Sequence, residues 1–185
     1  ILNKNIFHTT RPELKSYNFK YDVFHFDEKW IYKEYIKTYQ NIEPNNSEEL
    51  MIFIKKIISI TNKNLIITTG NKQTLLLDKI KSNFTHINNN YFELDVDKNK
   101  ILLLKNLSFV DLSLIVKNSD LLISCHGAPT HIAAAYNSKI IDIIDDSEKL
   151  FFSKWSSHFR NYKSFSRENF KDLSNKILNF LPNEY

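Results

Sequence analysis

The sequence predicts an α/β Rossmann-like fold, with a parallel sheet and helices on both of its faces. Short apolar runs rich in β-branched residues alternate with segments of helical periodicity at least four times along the chain. That order is typical of a parallel sheet covered by helices. In addition, 42% of the 185 residues are hydrophobic and 25% are charged, a balance typical of a folded domain rather than a disordered chain.

The first part of the predicted domain contains two strands and two helices. Residues 20–26 and 64–69 favour strands because they are short apolar runs with many β-branched residues. Residues 46–61 predict a helix, since apolar side chains recur at helical spacing behind Asn46, a suitable N-cap. A shorter helix is predicted around residues 72–82.

The second part repeats this alternation after a polar, asparagine-rich segment. Residues 83–100 form that segment and carry only a weak strand signal near 91–94. The remaining predicted elements are a strand at 101–104, a helix from Ser108 to Asn118 with Ser108 and Asp111 as its cap, a strand at 120–125, a helix through 129–135, a strand at 139–145, and a terminal helix marked by Phe170, Leu173, Ile177, Leu178 and Leu181.

The ends of the chain indicate how it is divided into domains, and its single cysteine indicates the cellular compartment. Residues 1–19 fit the alternation poorly, so we expect a linker or the end of a preceding domain there and the α/β domain at 20–185. The chain begins at Ile1 rather than Met, as a piece of a longer protein would. No run approaches the roughly 20 apolar residues that span a bilayer, and no leader pattern is visible. A lone Cys125 excludes an internal disulfide and favours a reducing compartment.

The charge balance is modestly basic. The net charge is +4 and the pI is near 9.0, which is compatible with an anionic substrate, a nucleic acid or an anionic membrane surface. Solvation of the surface is the simpler explanation of this excess of lysine. The basic residues are scattered and form no stripe interleaved with aromatic residues, so we expect no nucleic-acid partner.

Two glycines mark the expected ligand-binding edge. In an open parallel sheet, ligands bind beyond the carboxyl ends of the strands. Gly70 and Gly127 are the only glycines, and each directly follows a predicted strand. Glycine lets a ligand approach the backbone closely, so their positions favour a functional rim, although glycine also serves simply to end a strand.

The densest candidate site is the segment 124–135, where a strand ends in a turn of small residues and a helix begins. A helix N-terminus offers unpaired amides and the positive end of a dipole, and it binds phosphate well. We therefore expect the backbone of Gly127 and Ala128 and the hydroxyl of Thr130 to contact a phosphate. His126 and His131 flank the turn and could donate to a phosphate oxygen or to a ribose hydroxyl.

The residues of this turn also suggest two other kinds of chemistry. Two histidines and one cysteine suggest zinc, but a third and a fourth ligand with suitable spacing are missing, so no metal is expected. Cys125 next to His126 suggests thiol catalysis, but a cysteine ending a buried strand is expected to be an inert core thiol. The sequence contains neither a glycine-rich dinucleotide fingerprint nor a Walker-type loop.

A second candidate site follows the first strand. Lys29 and Lys33 lie in the segment 25–33 and would reach the same rim, where an ammonium can meet diphosphate charge. The alternative is a solvated loop in which Trp30 is a hydrophobic anchor.

Residues 108–144 resemble the carboxyl-terminal half of glycosyltransferase family 9, the ADP-heptose:lipopolysaccharide heptosyltransferases. That family carries an Asp-Thr-Gly-Pro-x-His turn followed by an alanine-rich helix, and the segment from His126 to His131 aligns with this turn without gaps. The aspartate of the family is replaced by His126. The segment 27–30 resembles the family's loop with a lysine near the donor phosphates, which makes Lys29 the matching residue.

The resemblance implies a GT-B architecture, in which two Rossmann-like domains face each other across a cleft. The chain would be the donor-binding half, and its terminal helix would cross towards a missing N-terminal acceptor domain. The implied activity is inverting hexosyl or heptosyl transfer from a nucleotide sugar to a saccharide or glycolipid acceptor in lipopolysaccharide biosynthesis, without a cofactor or a metal.

The implied location is the cytoplasm, including its membrane surface, and the catalytic base of the family belongs to the acceptor domain. The sequence leaves open two alternatives: a non-catalytic nucleotide-binding or interaction module, and a GT-B sugar transferase of another family.

Overall fold

The computed structural model describes residues 19–31, 41–70, 72, 74–88 and 90–183. The strands in this part of the chain are β1 (Tyr21–Phe26), β2 (Asn64–Thr69), β3 (Thr85–Asn88), β4 (Tyr91–Val96), β5 (Asn99–Leu104), β6 (Leu121–Cys125), β7 (Lys139–Ile144) and β8 (Tyr162–Ser166). The helices are α1 (Ser47–Thr61), α2 (Leu75–Lys81), α3 (Phe109–Lys117), α4 (Ala128–Ala135), α5 (Lys149–Ser156) and α6 (Phe170–Phe180). Short 3-10 turns occupy Glu28–Trp30, Asp146–Glu148 and Leu181–Asn183.

The strands form one sheet in the order β3-β4-β5-β2-β1-β6-β7-β8. The six strands from β5 to β8 in this order run parallel, whereas β3 and β4 are added antiparallel at one edge. Counted along the chain, the parallel strands follow the order 3-2-1-4-5-6 of a doubly wound fold. The strand order therefore reverses between β1 and β6, where Phe24 pairs with Ile123 and His25 with Ser124.

Alternate side chains of the strands fill two cores on opposite faces of the sheet. In β1, Phe24 and Phe26 face the core beneath α1, α2 and α6, whereas Tyr21 and Val23 face the core beneath α3 and α4. Because both faces are covered, the central strands are buried throughout. The structure confirms the Rossmann-like parallel sheet with helices on both faces.

Most of the predicted elements are confirmed, and their ends differ from the predicted ones by at most three residues. The predicted caps are also present: Asn46 accepts a hydrogen bond from the Glu49 amide at 2.9 Å, and Ser108 accepts one from the Asp111 amide at 3.1 Å. These contacts satisfy amides at the helix starts that have no partner within the helix.

Three elements were not anticipated from the sequence: β3, α5 and β8. The strand β3 is exposed along its whole length, and β8 is only partly buried at the opposite edge of the sheet. Neither strand needs the continuous apolar run that marks a central strand. In α5, Leu150, Phe151 and Trp155 are exposed, so its apolar residues do not mark a face packed on the core.

Two of the sequence predictions lie partly or wholly outside the described residues. These are the linker or preceding domain at 1–19, of which 1–18 are not described, and the position of Lys33. The terminal helix α6 packs on α1, where the rings of Phe170 and Phe53 lie 5.5 Å apart, and its crossing towards another domain stays a prediction. Among the helices of the described residues, none has both the length and the apolar character to cross a membrane.

Candidate functional site

The candidate site lies where the strand order reverses. The carboxyl ends of β1 and β6 are neighbours there, and crevices at such a reversal are the usual ligand sites of doubly wound sheets. β1 leads into the 3-10 turn that carries Lys29, and β6 leads through His126 and Gly127 into α4. The two segments singled out in the sequence are therefore brought to the same edge.

Lys29 lies directly over the turn that precedes α4. Its Nζ donates a hydrogen bond to the main-chain oxygen of His126 at 2.8 Å and lies 3.6 Å from Asp27 Oδ2. A Cβ placed on Gly127 would lie 2.4 Å from the same nitrogen. Glycine at this position thus leaves the space that the ammonium occupies, while the Lys29 side chain stays 32% exposed.

The loop that carries Lys29 is fixed from three sides. Asp27 accepts a hydrogen bond from the Lys29 amide at 3.1 Å, and the fully buried Trp30 donates its indole N–H to the His25 carbonyl at 3.0 Å. Arg167, which follows β8, donates from Nη2 to the Lys29 carbonyl at 2.6 Å. Arg167 could not be predicted from the sequence, since nothing near it in the sequence links it to β1.

Asp27 is charged in this setting. Burial raises the pKa of the carboxyl group, but the hydrogen bond and charge of His25, the charge of Lys29 and the Lys29 amide together outweigh it and lower the pKa below the usual value. The Asp27 carboxylate accepts a hydrogen bond from the Lys29 amide and attracts the Lys29 ammonium, so it keeps the Lys29 side chain oriented across the turn.

The start of α4 offers fewer free amides than expected. The amides of Thr130 and His131 both donate to the Gly127 carbonyl, at 3.0 and 3.4 Å, and the Gly127 amide donates to Thr130 Oγ1 at 3.3 Å. Pro129 has no N–H. The amide of the exposed Ala128 has no hydrogen-bond partner among the described residues, so it is a free donor at this helix start.

Thr130 lies beneath the turn rather than on its surface. The residue is fully buried, and its hydroxyl donates to Asp142 Oδ1 at 3.2 Å and accepts from the Gly127 amide. In this arrangement Thr130 fixes the shape of the turn. A direct hydrogen bond from Thr130 to a phosphate stays a prediction, and it would require the hydroxyl to leave Asp142.

Asp142 is the centre of a buried network that sequence reasoning missed. It lies in the middle of β7, is fully buried, and accepts from His126 Nδ1 at 2.5 Å, from the Tyr162 hydroxyl at 2.8 Å and from Thr130. Burial and the charge of Asp142 raise the pKa of Tyr162. One feature of the sequence could have revealed this network, namely an aspartate within the apolar run of β7. A buried carboxylate requires hydrogen-bond partners, so an aspartate at such a position predicts polar side chains nearby.

The two histidines of the turn differ in their surroundings. The His126 ring lies 4.3 Å from Phe152 and 5.2 Å from His131, measured between ring centroids, and its side chain is only 10% exposed. His131 is exposed and also contacts Phe159 at 5.5 Å. Partial burial and the neighbouring His126 lower the pKa of His131. Both imidazoles therefore lie at the turn, but only His126 is hydrogen-bonded to a carboxylate.

The thiol at the end of β6 is buried. Cys125 is 2% exposed, and burial together with the nearby Asp27 raises its pKa; this environment disfavours the thiolate that thiol catalysis needs.

The second glycine, Gly70, ends the neighbouring β2, where an added Cβ would lie 2.1 Å from Glu28 Oε2. Gly70 thus allows the loop after β1 to pack closely on β2. Within the described ranges, no group of three or more His, Cys, Asp or Glu side chains is arranged to hold a metal ion.

Comparison with known proteins identifies a fold but no family. No family model matches the chain, and no curated protein matches it. Among solved structures, it is similar to the UDP-GlcNAc 2-epimerase of Methanocaldococcus jannaschii in complex with UDP-GlcNAc and UDP, with a TM-score of 0.50 and 17% identity. The match covers 90% of this chain and 40% of that one, so the chain spans less than half of its neighbour. The likeness shows a GT-B-like α/β fold, as expected for one half of such an architecture.

Proposed function

We propose that this chain binds a nucleoside-diphosphate sugar at the edge between β1 and β6 and serves as the donor-binding half of a glycosyltransferase. The observation that carries the proposal is the position of the Lys29 ammonium, 2.8 Å from the His126 carbonyl and directly over the turn that opens α4. A partly exposed cation, the free Ala128 amide and the positive end of a helix dipole then face one small space.

The geometry suits the chemistry of a diphosphate leaving group. In an inverting transfer, the acceptor hydroxyl attacks the anomeric carbon and the nucleoside diphosphate departs with negative charge. Oriented donors and cations stabilise such charge more effectively than water, because they are in place before the reaction. Lys29, whose ammonium occupies the space that Gly127 leaves, and the Ala128 amide would supply this stabilisation.

The fold neighbour and the sequence resemblance support the same substrate class. The neighbouring structure is that of a sugar-nucleotide epimerase holding UDP-GlcNAc and UDP. The resemblance to glycosyltransferase family 9 adds the finer proposal: hexosyl or heptosyl transfer to a saccharide or lipopolysaccharide-type acceptor, in the cytoplasm or at the inner face of the membrane. The catalytic base would come from an acceptor domain, so the isolated half would bind the donor without turning it over.

A non-catalytic nucleotide-binding module is the competing proposal. It is favoured by His126, which stands where the family has an aspartate. Extending the reading frame upstream separates the two: a second α/β half of similar size favours the enzyme, and a lone module favours binding only. A GT-B transferase of another family is distinguished by sugar-release assays of the full-length protein over a panel of nucleotide sugars.

Binding itself is tested by a thermal-shift screen against ADP, UDP, GDP and CDP and their sugars, because a ligand of the native state raises the melting temperature. For the nucleotide that binds, Lys29→Ala should weaken the affinity about 10- to 100-fold, the effect of losing a hydrogen bond to a charged group. Lys98→Ala is the matched control, since this exposed lysine lies at the turn between β4 and β5, at the opposite edge of the parallel sheet. Equal affinity of both variants and the wild type contradicts the proposal.

A further inference from the structure

The orientation of His126 is set by the carboxylate beneath it. Asp142 is fully buried, and its Oδ2 lies 2.5 Å from His126 Nδ1. The same carboxylate also accepts from Tyr162 and Thr130. Hydrogen bonds from several donors favour the ionised form of a carboxylate, which can only accept, so we assign the hydrogen between it and the imidazole to Nδ1. This leaves Nε2 as the polar atom with which His126 meets a ligand, and Nε2 has no hydrogen-bond partner among the described residues.

The ligand class then decides the charge of the ring. The oxygens of an esterified diphosphate accept hydrogen bonds and cannot donate them. An imidazole that already carries hydrogen on Nδ1 can donate from Nε2 only if it is doubly protonated. We infer that His126 contacts the diphosphate as an imidazolium held in place by Asp142, so that binding of the nucleotide sugar takes up a proton. This inference rests on the proposed function, because it concerns the same diphosphate.

The groups around the ring are compatible with a charged His126. Asp142 on β7 faces it with the opposite charge, Phe152 on α5 packs on the ring, and Tyr162 on β8 donates to Asp142 rather than to the ring. Lys29, after β1, contacts the main-chain oxygen of His126. The repulsive neighbour is His131 on α4.

The surroundings of His131 disfavour its protonation. Its pKa is lowered, first by burial and then by the charge of His126, with His158 as a further positive neighbour. Of the two rings that meet edge to face at this turn, only His126 has a carboxylate in hydrogen-bond contact. The proton taken up on binding is therefore assigned to His126.

A hydroxyl group at Nε2 would give a different result. A ribose or sugar hydroxyl can donate to the neutral ring, so its binding needs no added proton. The uptake of a proton thus distinguishes a diphosphate contact from a hydroxyl contact, and it is a quantity that a purely structural role of the Asp142–His126 pair would not change.

The experiment is titration calorimetry with UDP-glucose, ADP-glucose, GDP-mannose and CDP-glucose between pH 6 and 8.5, in pairs of buffers that differ in ionisation enthalpy. In these probes the diphosphate is esterified at both ends, so it does not itself titrate in this pH range. We expect the uptake of up to one proton per site, and an affinity that falls as the pH rises, by at most about tenfold per pH unit, as linkage requires for one proton.

Variants of Asp142 and His126 test whether this pair takes up the proton. His126→Gln keeps an amide donor without a titratable group, so it should bind with no uptake and with little dependence on pH. Asp142→Asn should weaken binding at low pH and reduce the uptake; if this buried substitution prevents folding, His126→Gln decides alone. His86→Gln is the matched control, since this histidine lies on the exposed strand β3 at the far edge of the sheet, and the variant should retain the uptake.

Two failures are distinguishable. If one of the probes binds with equal affinity at all pH values and without a buffer effect, or if His126→Gln retains the full uptake, the imidazolium contact is wrong and the proposed function stands. If none of the probes binds at any pH, the proposed function fails and this inference fails with it.

Discussion

Gly127→Ala tests whether the space over the turn is what places Lys29. The backbone of Gly127 is extended, with φ of 172°, so alanine can adopt it. Its Cβ, however, would lie 2.4 Å from Lys29 Nζ. Ordinary contact distances are about 3.5–4 Å, so the ammonium has to withdraw by about 1 Å or more, and its hydrogen bond to the His126 carbonyl is lost.

The expected magnitudes separate stability from binding. The lost bond involves a charged donor, which is worth about 1.5–3 kcal/mol when well desolvated. Because the Lys29 side chain is 32% exposed, solvent screening reduces the contribution, and we expect a loss of about 1 kcal/mol or less in the free energy of unfolding. Affinity for the nucleotide should fall about tenfold, since the cation no longer lies over the helix start.

Urea unfolding measures the change in the free energy of unfolding, and titration calorimetry measures the change in nucleotide affinity. The control is a double-mutant cycle with Lys29→Ala, in which Gly127→Ala should cost far less affinity than it does alone, because residues in contact are not additive. Wild-type affinity in the single variant, or a full tenfold loss in the Lys29→Ala background, would refute the reasoning.

Two further predictions concern groups whose partners are visible in the structure. Asp27→Asn should destabilise the protein near pH 7: because the pKa of Asp27 is lowered on folding, its stabilising charge is present above the unfolded value of about 3.9 and is lost as the pH falls through the folded value. The difference in unfolding free energy between the two proteins should therefore shrink at pH 3, and a constant difference would show that charge is not involved. Ser108→Ala removes the side chain that accepts from the Asp111 amide at the start of α3 and should cost about 1 kcal/mol, whereas an unchanged urea midpoint would mean that water replaces the cap.

Local patterns predicted the central elements well and the edges poorly. Central strands such as β1 and β6 are buried on both faces, so burial itself imposes the apolar run that reveals them. The edge strands β3 and β8 face solvent on at least one side and carry no such run. The helix α5 was missed because its apolar side chains are exposed rather than packed in one stripe against the core.

The candidate site divides in the same way. Lys29 and the turn at His126 and Gly127 were identified from the sequence, because lysines, glycine and a helix start follow predicted strands. Asp142 and Arg167 were not identified, although each contacts one of those residues. Their roles depend on which strands are neighbours and on the register between them, and neither is written in the spacing of residues along the chain.

The amino-acid sequence alone determined the alternation of strands and helices, and hence the doubly wound class and the edge of the sheet at which we propose that a ligand binds. Those features follow from burial, from backbone propensity and from the handedness of parallel crossovers, which act locally. Tertiary structure decided that the Lys29 ammonium meets the carbonyl of a residue 97 positions away, and that a carboxylate on the next strand holds His126. Such contacts are long-range consequences of strand order, and they exist only once the whole sheet has assembled.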